Sequence, residues 1–463
     1  MHWTVAKIAQ AAGGELLQGD PEEVIRGIST DTRSLEPGDC FVPLKGETHD
    51  GHDFIAQALA KKAAAVLSAR RDVESKVPRE TAVIRVADTL YGLGELARCH
   101  RGAHSMPVIG VTGSNGKTST KEMIAAILGV HHNVQKNAGN FNNLVGVPLT
   151  LLSLEAQHQV AVIEMGINVF GEMQRLVEIT KPTAGLVTNI HPAHLQGLES
   201  QEHILEEKGR LLTSLSEEQL AVINLDDQRL RSFAKRLKAR TVTYSIADSS
   251  AQVRLAGNVK VDRGVSSFAL ALENQVVPVR LAVLGAHQVQ NAVAAAAVAY
   301  GMGESADTIV EGLSRHRPVR QRMEMYQLPD GVVLIDDTYN ANPMSMVAAA
   351  RAVVEAAHGR PVIFVFGEMR EMGPEGPRLH WEVGRQIGAM RVHRLVTLGG
   401  LAAELNRGAR ESGMAVEACH HAADHQEIID LLRALKVKDG WILVKGSRGM
   451  TMERIVRGLL DAA

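Results

Sequence analysis

Residues 107 to 118 read Pro107-Val-Ile-Gly-Val-Thr112-Gly-Ser-Asn-Gly-Lys117-Thr118: an apolar run, a glycine-rich loop, then Lys-Thr. Such a loop suits phosphate. Gly113 and Gly116 let backbone N–H groups turn toward an anion, and a following helix N-terminus adds positive potential. Lys117 neutralises charge, and the Thr118 hydroxyl can reach Mg2+. Ser114, Asn115 and Ser119 complete the expected nucleotide cradle. A strict P-loop carries glycine where Val111 stands, so the loop is a shortened form, G-x-x-G-K-T. Glu164 closes the apolar run Val160–Ile163, where a carboxylate either holds Mg2+ or faces solvent at a strand end. No Asn-Lys-x-Asp guanine-reading string occurs, which weakens a GTPase reading. The loop alone leaves motors, switches, kinases and ligases open.

The elements that position these residues are legible from hydrophobic runs. Pro107–Val111, Val160–Ile163 and Gly185–Thr188 read as buried parallel strands, with helical spacing over Thr118–Val130. From Thr241 to Leu284 the pattern changes to alternation with a turn at Asp262–Gly264, which predicts a small antiparallel insertion. Val332–Ile335, Val362–Phe366, Arg394–Leu398 and Trp441–Val444 each run into a polar loop and an amphipathic segment, the texture of a Rossmann-like, doubly wound domain. The fold class is α/β. Borders near His100–Pro107 and Arg315–Arg320 give an N-terminal domain over 1–104, a central P-loop-type ATPase domain over 105–315 and a C-terminal domain over 316–463.

Length agrees, since 463 residues at roughly 150 per domain make about three domains. The formal charge is -2, so nothing global recruits nucleic acid or anionic membrane, and 3% aromatics provide no stacking platform for single strands. Cys40, Cys99 and Cys419 are dispersed without a CxxC, so neither a disulfide framework nor a zinc site is encoded. The first residues lack the apolar core of a leader, and no stretch reaches the ~18 apolar residues of a membrane span. A cytoplasmic protein is expected.

Further strings carry a family likeness: Asn140-Phe-Asn-Asn143 leading to Gly146–Thr150, Ile163-Glu-Met-Gly166, Asn189 to Leu195, and Ile335-Asp-Asp-Thr-Tyr-Asn-Ala-Asn-Pro343. With the phosphate loop they make the chain resemble the Mur ligases over essentially its whole length. The resemblance implies three domains and ATP-driven amide formation through an acyl phosphate. The Asp-Asp-Thr-Tyr-Asn-Ala-Asn-Pro string points to the branch whose substrates are UDP-N-acetylmuramoyl-tripeptide, D-alanyl-D-alanine and ATP. The Asp-Asn-Pro-Arg string of the branch that adds the third peptide residue is absent, and that branch is the alternative. A nucleotide-binding regulator is a reading from another class.

The same resemblance implies roles. Lys117, Glu164, His194, Lys208 and Arg322 would be catalytic. Thr118 and Glu164 would serve one Mg2+ and His194 a second. The ligand lies five positions after Asn189, which selects His194 over His191. Lys208, fourteen positions on, would carry a carbamate from CO2 and join the metal site; read alone, Glu206–Arg210 is a solvated helix face. Asn291 would contact adenine or be merely a polar residue near a helix start. Arg322 would reach the γ-phosphate and Asp337 the ribose. Ser29, Thr30, Asp31, Arg33 and Lys45 match the uridine-diphosphate region, although Arg33 and Lys45 also read as ordinary loop charges. Asn140 and Asn143 are substrate-binding candidates, Asn340 and Asn342 are candidates for the D-alanyl-D-alanine end, and Lys445–Arg448 is expected to face the cleft. Leu144, Val169, Gln196 and Gln288 depart from the family's usual residues.

Overall fold

A computed structural model describes residues 3–46, 48–192, 195–262, 264–390, 392–435 and 437–461. Its contacts gather into two compact units, Met1–Gly110 with Asn133–Gly166 and Gly171–Thr183, and Val111–His132 with Ile167–Phe170 and Ala184–Ala463.

The first unit contains a five-stranded sheet in the order Glu15–Gln18, Ala82–Arg85, Ala65–Ser68, Cys40–Phe41, Ile28–Ser29, parallel except for its first pair. Helices Val5–Ala12 and Thr89–Gly102 start where sequence dictates: Thr4 Oγ1 accepts the Lys7 N–H and Asp88 Oδ1 the Tyr91 N–H. Val5, Ile8, Leu93 and Leu96 from these helices join Leu67 and Ile84 in one core.

The strand that leads into the phosphate loop is β1 (Val108–Thr112), and the helix after the loop is α1 (Lys117–Leu128). β2 (Val160–Glu164) lies in the first unit, parallel to Val134–Lys136. In the second unit β3 (Ala184–Val187), Leu220–Asn224, Arg240–Ser245 and the start of Val253–Asp262 are parallel in turn. Val253–Asp262, Val265–Leu272 and Gln275–Leu281 form the antiparallel insertion. The alternation therefore marks the insertion correctly but begins too early. Arg240–Ser245 extends the parallel sheet because Val242, Tyr244 and Ser245 are buried there. Two helices follow the site, α2 (Gln201–Thr213) and α3 (Ala286–Gly301).

The C-terminal sheet has the order Glu324–Gln327, β4 (Val333–Asp337), β6 (Trp441–Lys445), β5 (Val362–Gly367), Arg394–Leu398, Cys419–Ala422. Only the first strand is antiparallel. Helix α4 (Pro343–Ala357) connects β4 to β5. Alternate side chains feed separate cores: Ile335, Phe364, Phe366 and Leu443 on one face, Leu334, Ile363, Val365 and Val444 on the other. Burial on both faces explains why these strands read as unbroken apolar runs. Because β6 lies between β4 and β5, the loops after all three open side by side at their carboxyl ends, where such sheets bind ligands.

Candidate functional site

The phosphate loop is held open by its neighbours. Gly113 and Gly116 have φ of 144° and 81°, conformations that L side chains rarely adopt. A Cβ on Gly113 would lie 1.9 Å from Thr188 Oγ1, and one on Gly116 2.3 Å from Asn291 Oδ1. The segment after β3 braces the loop. The Ser114 N–H donates to Asn189 O (2.9 Å), the Asn115 N–H to Asn189 Oδ1 (2.9 Å) and Thr188 Oγ1–H to Asn115 O (2.6 Å). Ser114 Oγ donates to His191 O (2.8 Å) and accepts the His191 N–H (2.9 Å). His191 is thus a structural brace through its backbone, and loss of hydration lowers its imidazole pKa. No side chain caps α1 at Gly116, which leaves that helix start available to an anion. Lys117 Nζ folds back on Gly113 O (2.9 Å).

The C-terminal sheet meets this loop. Arg322 Nη2 donates to Thr118 Oγ1 at 2.8 Å across 204 residues, while its guanidinium lies 4.0 Å over the Tyr339 ring. Its buried Nε–H has no hydrogen-bond partner among the described residues, an orphaned donor of the kind a phosphate oxygen satisfies. Gln321 (φ 61°) and Met323 (φ 55°) flank it in the left-handed region, so backbone strain is stored beside the arginine. Asn342 Nδ2 donates to Asn115 Oδ1 (2.6 Å), while Asn342 Oδ1 caps α4 by accepting the Ser345 N–H. Asp337 accepts from Lys445 Nζ (2.6 Å) and from the Met323 N–H (3.2 Å), and Lys445 also donates to Asn340 O (2.9 Å). Asn291, buried, donates to Gln288 Oε1 (3.1 Å). His287, on α3, has its pKa driven down to about 4 by lost hydration; Asp337 opposes this and Lys445 adds to it. Gly113 to Ser119, Asn291, Arg322, Asp337 and Asn342 are therefore one assembly. Lys445 belongs to it as the partner of Asp337, and only its place at a strand end signalled this.

In the first unit Glu164 is 1% exposed, which overturns the reading as a solvated strand-end carboxylate. Asn142 Nδ2 donates to Glu164 Oε1 (2.8 Å), and Asn137 brackets its backbone, accepting the Glu164 N–H and donating to Glu164 O (both 2.9 Å). Asn137 and Asn142 were missed, although Asn142 lies inside the string that carried the resemblance. Asn140 is exposed, and Asn143 Oδ1 accepts the Gly146 N–H (2.9 Å) at the start of the next helix. Arg33 forks onto Asp31, at 3.0 Å from Nε and 2.6 Å from Nη2, which lowers the Asp31 pKa and leaves the guanidinium open to solvent. Ser29 Oγ donates to Asp31 O, Thr30 is half-buried, and Lys45 is exposed.

Lys208 is 1% exposed on α2 and Glu207 beside it equally so, whereas Glu206 and Arg210 reach solvent. The run is not a solvated face: Glu207, Lys208 and Gly209 are buried, and Gly209 lies close against the Phe233 ring. His194 lies outside the described residues. Among the described residues no group of three or more His, Cys, Asp or Glu could hold a metal. Thr118 and Glu164, one in each unit, each carry a hard oxygen of the kind that Mg2+ prefers.

Three family profiles match the chain: the Mur ligase middle domain over residues 111–299, the Mur ligase glutamate ligase domain over 321–448, and the Mur ligase family catalytic domain over 24–101. Relatives named UDP-N-acetylmuramoyl-tripeptide–D-alanyl-D-alanine ligase from Bacillus subtilis and Escherichia coli are each 36% identical over 99% of this chain and 98% of their own. Among solved structures, MurF from Acinetobacter baumannii is 30% identical with a TM-score of 0.91, covering 100% of this chain and 99% of its own. MurF from Thermotoga maritima in complex with ADP is 26% identical with a TM-score of 0.84, covering 95% and 99%.

Proposed function

The chain belongs to the Mur ligase family, and from that membership we propose that it joins D-alanyl-D-alanine to UDP-N-acetylmuramoyl-tripeptide at the expense of ATP, in peptidoglycan synthesis. The observation that carries this is full-length similarity to ligases of that name, joined to a phosphate loop whose Thr118 is met by Arg322 from the turn that leads into the C-terminal sheet.

A carboxylate is a poor acyl donor, so its oxygen first takes the γ-phosphoryl group from ATP. The dipeptide amine then attacks the acyl carbon, and inorganic phosphate leaves with the C–O bond electrons. The loop N–H groups and the start of α1 bind phosphate, and Lys117 swings from Gly113 O to neutralise it. Arg322 turns its orphaned Nε–H to the transferred group, and Asp337 holds the ribose while Lys445 fixes its orientation. Asn291 reads adenine. Thr118, Glu164 and His194 are assigned to Mg2+, which supplies the charge that lets a carboxylate approach a triphosphate. Lys208, as its CO2 carbamate, joins them: it lies buried on α2, and carboxylation turns its cation into an anion able to bind Mg2+. Residues 1–104, with Ser29, Thr30, Asp31, Arg33 and Lys45, serve the uridine nucleotide; 105–315 serve ATP; 316–463 bring Arg322, Asp337 and the amine. Asn140 and Asn143 are assigned to substrate binding and Asn340 to the D-alanyl-D-alanine end, whereas the Asn342 amide is already spent on capping α4 and holding Asn115. Among the described residues no helix is long and apolar enough to cross a membrane.

Purified protein with all three substrates is expected to release phosphate and yield a UDP-linked product heavier by one dipeptide residue pair. Phosphate release indifferent to the dipeptide would sink the reading.

A further inference from the structure

We propose that Arg370 anchors the C-terminal carboxylate of the incoming dipeptide and so selects a free acid at that end, an inference that rests on the dipeptide reading above. The loops after β4, β5 and β6 are tied through Ser447. Its N–H donates to Glu368 O (3.1 Å), and its Oγ accepts the Arg370 N–H (2.8 Å) and donates to Ala341 O (3.3 Å). Arg370 is therefore fixed within one side chain's reach of Asn340 and Ala341, on the floor from which an amine would meet the nucleotide site.

Three cations stand at these strand ends, and two are committed. Lys445 is paired with Asp337, and Arg448 with Glu453 at 3.1 Å. Arg370 is exposed, forms no ion pair among the described residues, and lies against Gly449, where a Cβ would come within 2.2 Å of its Nη1. A glycine there gives the guanidinium room to lie along the neighbouring loop. A dipeptide arrives with one carboxylate that takes no part in the chemistry, and a planar guanidinium receives such a group through two parallel hydrogen bonds. Asn342 is unsuited to that task because its amide already caps α4 and holds Asn115.

The test is steady-state kinetics of the wild type, Arg370→Met and Arg370→Lys with D-alanyl-D-alanine and with its C-terminal amide, D-alanyl-D-alaninamide. The wild type should prefer the acid. Arg370→Met should raise KM for the acid by about tenfold or more, leave KM for ATP unchanged and bring the acid-to-amide ratio of kcat/KM near one, with partial recovery in Arg370→Lys. An acid-to-amide ratio in Arg370→Met equal to that of the wild type, or a wild type indifferent to the carboxylate, overturns the assignment. A wild type that ligates neither compound overturns the dipeptide reading itself.

Discussion

Lys445→Met isolates the charge that holds the proposed ribose ligand. Methionine preserves most of the buried stem, so the variant removes chiefly the ammonium, which sits 2.6 Å from Asp337. Asp337, with its side chain 13% exposed, would keep only the Met323 N–H at 3.2 Å among the described residues. Breaking a buried ion pair from one side costs about 3–5 kcal/mol because the other charge is left unpaired, whereas removing both charges costs much less. The slight exposure of Asp337 favours the lower end, about 3 kcal/mol, or roughly a hundredfold in the folding equilibrium. Trp441 starts β6, the strand that Lys445 ends, and is one of three tryptophans, so a Trp3→Phe, Trp381→Phe background makes its fluorescence report on this sheet alone. Urea titration of Lys445→Met and of Lys445→Met with Asp337→Leu should show the double variant more stable than the single one. A single variant within about 0.5 kcal/mol of its parent, or a double variant less stable than the single, would refute the pairing as a buried one.

Three further outcomes follow from the geometry. His287 titrates at about 4 in the folded chain against 6.5 ordinarily, so the unfolded chain alone takes a proton between those values. Stability should therefore fall by up to about 3 kcal/mol as pH drops from 6.5 to 4 and level below it, and His287→Gln should flatten that window in urea titrations; an unchanged slope contradicts it. Gly116→Ala combines a positive φ with a 2.3 Å approach to Asn291 Oδ1, so ATP affinity by calorimetry should fall about tenfold or more while the far-ultraviolet dichroism holds, and an unchanged Kd contradicts it. Lys208→Ala should abolish turnover, short carboxylates should partly restore it, and protein under 13CO2 should show a carbamate resonance that the variant lacks; rescue and resonance both failing rules out the carbamate.

Local chemistry was legible in the sequence, and long-range commitments were not. Gly113, Gly116, Lys117 and Thr118 announce a phosphate loop by spacing, and Val362–Gly367 and Trp441–Lys445 announce buried strands by unbroken hydrophobicity, because both signals lie within a few residues. Arg322 reaching Thr118 is a contact across 204 residues that no periodicity encodes; only family spacing singled the arginine out. Lys208 was hidden by composition, since Glu206–Arg210 is uniformly polar apart from Gly209, although Lys208 is buried and Gly209 beside it meets Phe233 from another helix. Asn142 and Asn137 escaped because an asparagine that braces a carboxylate looks like any loop asparagine until the carboxylate is seen beside it.

The central claim is that the tripeptide carboxylate is activated by direct phosphorylation, and oxygen transfer tests it most directly. UDP-N-acetylmuramoyl-tripeptide labelled with 18O in its terminal carboxylate, turned over with ATP and D-alanyl-D-alanine in ordinary water, should give inorganic phosphate bearing one 18O for each amide formed. Unlabelled phosphate, or label appearing in AMP, would contradict an acyl phosphate made at the Gly113–Thr118 loop.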